Sequence, residues 1–171
     1  MRSLVLVMYL TEGGADLGYI EEIRSLVGHR PLILVGAIVI ALDQNGRILL
    51  QQRKHPAGYW AIPGGLMELS ESVEDTARRE LYEETKLHVK TLHLINVYSG
   101  SENYIKAPNG DEFYTVTVAF YSTEVSGKLE IDKSESLDFQ YFRPDQLPNN
   151  IVKSHMPILI EFMDKHYNMM F

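Results

Sequence analysis

The chain has 171 residues, of which 45% are hydrophobic and 23% charged, a composition typical of a globular protein with one domain. Its net charge of -7 gives no general attraction to nucleic-acid backbones, so we expect no nucleic-acid partner. The absence of cysteine excludes disulfides, thiolate zinc sites and cysteine nucleophiles. No apolar run reaches the roughly 18 residues of a membrane span and no signal peptide is recognisable, so we expect a cytoplasmic protein without a membrane partner.

Residues 1–30 are predicted to form an N-terminal extension. The apolar run at residues 4–10 fits a short strand or a surface tail. Alternatively, part of residues 1–16 is a translated leader, because the codons of a Glu-Gly-Gly triplet within it can encode a ribosome-binding sequence. Residues 18–27 place apolar side chains at helical spacing, and Gly28 fits the C-cap of a short amphipathic helix.

Strands and turns dominate the next segment. Residues 32–42 are almost all apolar and rich in Ile and Val, which predicts a buried strand. Asn45-Gly46 favours a tight turn, and residues 47–53 are predicted to return as the second strand of a hairpin. Residues 60–62 form a short strand, and Pro63-Gly64-Gly65 turns the chain sharply. Glycine at this turn lets the backbone approach a bound ion or phosphate closely.

The helix that follows carries an unusual cluster of acidic side chains. Ser72 is a good N-cap, and Asp75 three residues later completes a variant of the capping box. Glu80, Glu83 and Glu84 crowd onto one side, where like charges repel by roughly 0.2–0.5 kcal/mol per pair. A divalent cation reverses this repulsion, because Mg²⁺ takes carboxylate and water oxygens. The alternative is a solvated acidic face without a ligand.

An apolar stripe indicates which side of this helix is buried. Val73, Ala77 and Leu81 recur every four residues and are expected to pack on the sheet. Glu80 and Glu84 lie next to this stripe, so we expect their carboxylates at the edge of the contact, where a cleft can form.

The spacing from Gly65 to Leu87 resembles the Nudix box, G-x5-E-x7-R-E-U-x-E-E-x-G-U, in which U is an aliphatic residue. Eight of the nine defined positions match, and Lys86 stands where the family has glycine. The resemblance implies the Nudix fold, an α/β/α sandwich with a mixed central β-sheet, for a domain spanning residues 31–171. The family's glycine ends the helix, often at positive φ, so either the turn differs here or Lys86 carries backbone strain.

The remaining chain fits such a domain. Residues 88–100 are predicted to form one strand with Leu92, Leu94 and Val97 as its apolar members, and a loop follows. Further strands are predicted at residues 112–122, which alternate and are rich in β-branched and aromatic residues, and at residues 137–142. Apolar side chains over residues 155–167 indicate a C-terminal amphipathic helix.

The resemblance implies a hydrolase that cleaves the pyrophosphate linkage of a nucleoside diphosphate derivative with the help of Mg²⁺ or Mn²⁺. The substrate would be a nucleoside triphosphate, a dinucleoside polyphosphate or a nucleotide sugar. Glu80 and Glu84 are assigned as principal metal ligands. Glu83 and the carbonyl of Gly65, or of the glycine before it, would complete the set. Nudix proteins pair an arginine at the position of Arg79 with box carboxylates.

Glu71 is the expected partner of Arg79, and we count both among the catalytic residues. The general base is left open, because family members use either a box glutamate or an acid from a distant loop. Glu83, Glu112 and Glu135 are the candidates in this sequence.

Substrate contacts are expected outside the box. Arg53 either contacts a substrate phosphate or is a solvated charge. Tyr104 lies 17 positions past Leu87 and resembles the tyrosine of dinucleoside polyphosphate hydrolases. Aromatic side chains of this region could stack on a base, although a β-rich core uses the same residues.

Other functions stay open at this point. The chain could be a Nudix-fold nucleotide-binding or regulatory module without catalysis, although such modules often lose the box acids that are present here. An isomerase or a decapping-type enzyme on the same fold is a further alternative. Dimers are common in the family, so a homodimer is possible.

Overall fold

The computed structural model describes residues 18–131, 133 and 136–170. The expectations for residues 1–16 and for Glu135 lie outside these ranges. The described residues form three α-helices and ten β-strands. The helices are α1 (Tyr19–Val27), α2 (Val73–Thr85) and α3 (Met156–Lys165). The strands are β1 (Leu32–Ala41), β2 (Ile48–Arg53), β3 (Trp60–Ala61), β4 (Gly64–Leu66), β5 (His88–Val89), β6 (His93–Tyr98), β7 (Tyr104–Lys106), β8 (Glu112–Ser122), β9 (Val125–Ser126) and β10 (Ser136–Phe142).

The central sheet is mixed, as predicted. Its strand order is β4-β1-β8-β6, and β7 pairs with β8 beyond the end of β6. β1 and β8 run parallel, while the other pairs of this sheet are antiparallel. Ala37 of β1 lies between Gly65 of β4 and Val118 of β8, so β4 is held at an edge of the sheet.

The alternation of buried side chains along β1 creates two cores, one on each face of the sheet. Between the sheet and α2 lie Ala37, Val39, Leu49, Ala77, Leu81 and Phe120. Between the sheet and α3 lie Ile38, Ile40, Leu50, Ile158, Leu159 and Phe162. The helices therefore cover opposite faces, which is the α/β/α arrangement predicted above.

Two predictions about strand pairing were wrong. β2 does not form a hairpin ladder with β1, because β1 is already flanked by β8 and β4. A bridge joins Ile48 to Leu42, the residue after β1, and β2 pairs instead with β3 and β10 in a separate sheet. Residues 88–100 form two strands, since the chain changes partners from β9 to β8. Leu94 and Val97 are consequently exposed.

Helix α1 packs against the end of the central sheet. Ile20 lies in a small core with Leu34, Leu66 and Phe113. Arg24 is buried and donates a hydrogen bond of 2.9 Å from Nη2 to the carbonyl oxygen of the first residue of β8. The helix ends at the predicted C-cap glycine. None of the helices within the described ranges is long and apolar enough to cross a membrane.

Candidate functional site

Helix α2 begins as its sequence predicts, and its end decides between the two alternatives for Lys86. Ser72 Oγ accepts a hydrogen bond of 3.0 Å from the backbone N–H of Asp75, and the Asp75 carboxylate accepts one of 3.3 Å from the backbone of Ser72. This capping box fixes the start of the helix. At the other end, Lys86 has φ 61° and ψ 14°, which is left-handed backbone. The turn of the family is therefore retained, and the lysine carries its strain.

Glu80 and Glu84 lie one helical turn apart and are almost completely buried, at 0% and 3% exposure. Oε1 of Glu80 accepts a hydrogen bond of 2.8 Å from Arg79, and Oε1 of Glu84 accepts one of 2.6 Å from the Gln51 amide. The same amide donates to Ser136 Oγ at 2.7 Å. Both carboxylates are thus held in fixed orientations inside the protein, rather than at the edge of the helix contact.

Arg79 connects the acidic side chains of the box. Its Nε and Nη2 donate to the two oxygens of Glu71 at 2.5 and 2.9 Å, while Nη1 donates to Glu80 and, at 3.1 Å, to Glu83. The hydrogen bonds from Arg79 lower the pKa of Glu71 to about 2. Burial opposes the charge of Arg79, but the bound carboxylates raise its pKa above the ordinary value. The predicted pair of Arg79 and Glu71 is present.

Strand β4 brings backbone directly against the Glu80 carboxylate. A Cβ atom on Gly65 would lie 2.4 Å from Cδ of Glu80, and one on Gly64 would lie 2.2 Å from the carbonyl oxygen of Ala37. Gly64 also has φ 143°, a conformation that favours glycine. The two glycines are therefore required for this approach.

A cavity of about 260 Å³ lies on the α3 side of β4. Apolar atoms form most of its wall, and three basic side chains face it: Arg53, Lys106 and His155. Burial lowers the pKa of Arg53, and the charge of Glu84 acts in the opposite direction. Arg53 therefore lies within electrostatic range of the carboxylates on α2 while lining the cavity.

Other predicted site residues lie apart from this centre. Glu83 is 48% exposed and contacts Arg79. Val118 of β8 lies beside Ala37, which in turn pairs with Gly65. Glu112 is six residues from Val118, about 20 Å along the strand, and it accepts a hydrogen bond from Lys106. Tyr104 is outside the cavity wall and packs on Tyr114, with ring centroids 5.2 Å apart.

His155, by contrast, was not among the predicted site residues. This histidine directly precedes the C-terminal helix, and no local spacing connects it with the box. Its place in the cavity wall follows from the tertiary packing of α3 on the sheet.

The NUDIX domain model matches residues 32–162, and the chain therefore belongs to this family. Solved structures with the same fold include the MutT NUDIX hydrolase from Burkholderia pseudomallei, with a TM-score of 0.65 and 28% identity over 76% of this chain and 98% of that one. The MutT protein from Bacillus halodurans has a TM-score of 0.62 and 25% identity, covering 74% and 80% of the two chains. The predicted family and fold are confirmed.

The names of proteins with similar sequences state several different activities. The NAD-capped RNA hydrolase NudC of Vibrio parahaemolyticus is 32% identical over 74% of this chain. The match covers 44% of NudC, so this chain spans less than half the length of that relative. The ADP-ribose pyrophosphatase of Methanocaldococcus jannaschii is 29% identical, and the match covers 78% of this chain and 73% of that protein.

The buried carboxylates fit a hard divalent cation. Within the described ranges, no group of three or more His, Asp or Glu side chains is arranged to hold a metal. Mg²⁺ is commonly bound by only one or two protein carboxylates, with water and substrate phosphate oxygens completing its shell. Glu80 and Glu84 supply two carboxylates of this kind, and the close approach of Gly65 brings backbone next to them. The donor chemistry suits Mg²⁺ or Mn²⁺ better than a soft metal.

Proposed function

We propose that this protein hydrolyses the pyrophosphate linkage of a nucleoside diphosphate derivative, with Mg²⁺ or Mn²⁺ as its cofactor. One observation carries the proposal: Glu80 and Glu84 are buried on consecutive turns, Glu80 lies against Gly65, and Gly65 and Arg53 both line the cavity. Burying two carboxylates so close together is costly unless their charge is offset. Arg79 is shared among Glu71, Glu80 and Glu83, so one guanidinium does not neutralise the acidic cluster, and a divalent cation would offset the charge that remains. The names of the relatives, which include a pyrophosphatase and an NAD-capped RNA hydrolase, support the same class of reaction.

Glu80 and Glu84 would hold the metal. A bound divalent cation neutralises phosphate oxygens and lowers the pKa of a coordinated water. The protein's own contribution is to orient these ligands. Arg79 fixes Oε1 of Glu80, and Gln51 fixes Oε1 of Glu84 with a neutral donor that leaves the carboxylate charge intact.

The cavity would position the nucleotide. Its apolar walls can exclude water from the nucleoside, while Arg53 in the same wall offers a positive charge to the phosphates. The overall charge of -7 makes such local donors necessary.

Glu83 is the candidate proton acceptor that the described residues support best. It is accessible, on the same helix as the proposed metal ligands, and in contact with Arg79. Glu112 is too distant from the proposed metal ligands, because about 20 Å of β8 separates it from Val118, the residue level with Gly65. Glu135 stays a prediction outside the described residues.

A substrate screen tests the proposal. The panel contains ADP-ribose, NAD, a nucleoside triphosphate and a dinucleoside polyphosphate, each with Mg²⁺, Mn²⁺ or EDTA, and products are separated by anion-exchange chromatography. We expect cleavage at a pyrophosphate linkage that EDTA abolishes. Nucleotide binding without turnover would identify the non-catalytic module instead. Calorimetry that detects neither ion nor nucleotide uptake would contradict both functions.

A further inference from the structure

His155 has one side of its ring fixed by the backbone that leads into the Gly-Gly turn. The N–H of Ile62 donates a hydrogen bond of 3.0 Å to Nδ1 of His155, and Ile62 itself is almost completely buried. Because Nδ1 accepts, the neutral ring carries its proton on Nε2. The side chain is therefore fixed as a hydrogen-bond donor at Nε2.

The surroundings keep this ring uncharged. Burial, together with the positive charge of Arg53, lowers the pKa of His155 to about 3. At neutral pH, the ring therefore offers a neutral N–H next to a cation. Such a donor can bind an anion without adding a second buried positive charge beside Arg53.

The cavity indicates which part of a ligand the Nε2 donor of His155 would contact. His155 and Arg53 both face the cavity, and Arg53 interacts electrostatically with His155 and with Glu84. His155 is bonded to Ile62, two residues before Gly64, and Gly65 of the same turn lies against Glu80, so the part of the cavity lined by His155 adjoins the Gly-Gly turn. On the function proposed above, this part receives phosphates rather than the base.

We propose that His155 is a substrate-binding residue that donates a hydrogen bond from Nε2 to the diphosphate of the nucleotide. The inference rests on the proposed function. It assigns a specific contact to a side chain outside the Nudix box, and it explains why a histidine that already stabilises the backbone of Ile62 also faces the cavity.

Two substitutions separate the two roles of the ring. His155→Asn places an amide oxygen near the position of Nδ1, so it keeps the acceptor for Ile62 but lacks a donor at the distance of Nε2. His155→Gln places an amide N–H near the position of Nε2 and lacks the acceptor. Melting temperature without ligand reports the backbone contact. Titration calorimetry with α,β-methylene-ADP and Mg²⁺ reports the diphosphate contact.

We expect His155→Asn to retain the melting temperature and to weaken binding of α,β-methylene-ADP about tenfold, as for a lost hydrogen bond to a charged group. We expect His155→Gln to melt at a lower temperature while binding within about threefold of the unaltered protein. Equal affinity of His155→Asn and the unaltered protein, or equal weakening by both substitutions, would overturn the assignment. Failure of the unaltered protein to bind the probe would instead overturn the proposed function.

Discussion

The two sides of strand β4 differ in how polar side chains are arranged. On the α2 side, Glu80 and Glu84 are buried and neighbouring side chains fix their oxygens. On the α3 side, a cavity has mainly apolar walls, and its basic side chains are Arg53, Lys106 and His155. The first region is suited to hold a small cation, and the second is suited to hold a larger organic group.

The two regions also differ in how the chain assembles them. The acidic side chains bound by Arg79, and Arg79 itself, come from one short stretch, residues 64–87. The cavity wall instead combines residues 53–56, 103–108 and 152–158 with the sheet. Substitutions in the cavity wall can therefore alter which substrate fits while leaving the carboxylates in place.

The largest effect is expected from removing a charge on the α2 side. Glu84→Gln should lower kcat by about a hundredfold or more, because it removes one of two proposed anionic metal ligands. The fold should persist, since the introduced amide oxygen can still accept the hydrogen bond from Gln51. Steady-state kinetics with saturating Mn²⁺ and circular dichroism check the two expectations.

Glu74→Gln is a matched control for this change, because Glu74 lies on the same helix and is exposed. It removes the same charge from the chain without touching the buried pair. Its kcat should stay within about twofold of the unaltered protein. Near-normal turnover by Glu84→Gln would place the metal site elsewhere.

The difference between the α2 side and the cavity side explains which parts of the site the sequence could predict. On the α2 side, the capping box at Ser72, the Arg79–Glu71 pair and the left-handed Lys86 all depend on residues within one or two turns of each other. Spacing alone predicts the capping box, the resemblance to the Nudix family implies the Arg79–Glu71 pair, and neither decides the conformation of Lys86. Even here, the spacing did not predict that Glu80 is completely inaccessible, because its burial needs strand β4 to pack across it.

The cavity side depends on contacts between distant segments, which spacing does not encode. His155 meets Ile62 across 93 positions of the chain. Similarly, β2 pairs with β10 rather than with β1, and this pairing depends on how the two sheets pack together. The aromatic side chain of Tyr104 fitted a substrate role in the sequence, but its strand places it against Tyr114.

An intermediate effect is expected where Arg79 holds Glu71. Glu71→Gln should lower the free energy of unfolding by about 1–3 kcal/mol at pH 7, because a charged partner of Arg79 is lost. The pKa of Glu71 in the folded protein is about 2, below the ordinary 4.5. Its ionised form therefore stabilises the fold above pH 4.5, and this stabilisation is lost as the pH falls towards 2.

The difference between Glu71→Gln and the unaltered protein should accordingly shrink as the pH is lowered from 7 to 3. Urea unfolding at several pH values measures it. Glu74→Gln, a change at an exposed carboxylate of the same helix that takes no part in the capping box, is the comparison for general effects of removing charge. A difference that stays constant below pH 4.5 would exclude the ionised pair as its cause.

The smallest effect is expected at the C-terminal end of α2, where Lys86 is exposed. Lys86→Gly relieves left-handed strain of about 1–2 kcal/mol but gives the unfolded chain more freedom, worth about 0.4–1 kcal/mol. The contacts that it removes are weak, since Lys86 Nζ lies 3.4 Å from the Glu83 carbonyl oxygen and 5.0 Å from the centre of the Tyr82 ring. The melting temperature should therefore stay equal or rise slightly. Lys86→Ala keeps the strain and removes the same contacts, so a clear loss of stability in both variants would show that the lysine side chain makes a needed contact.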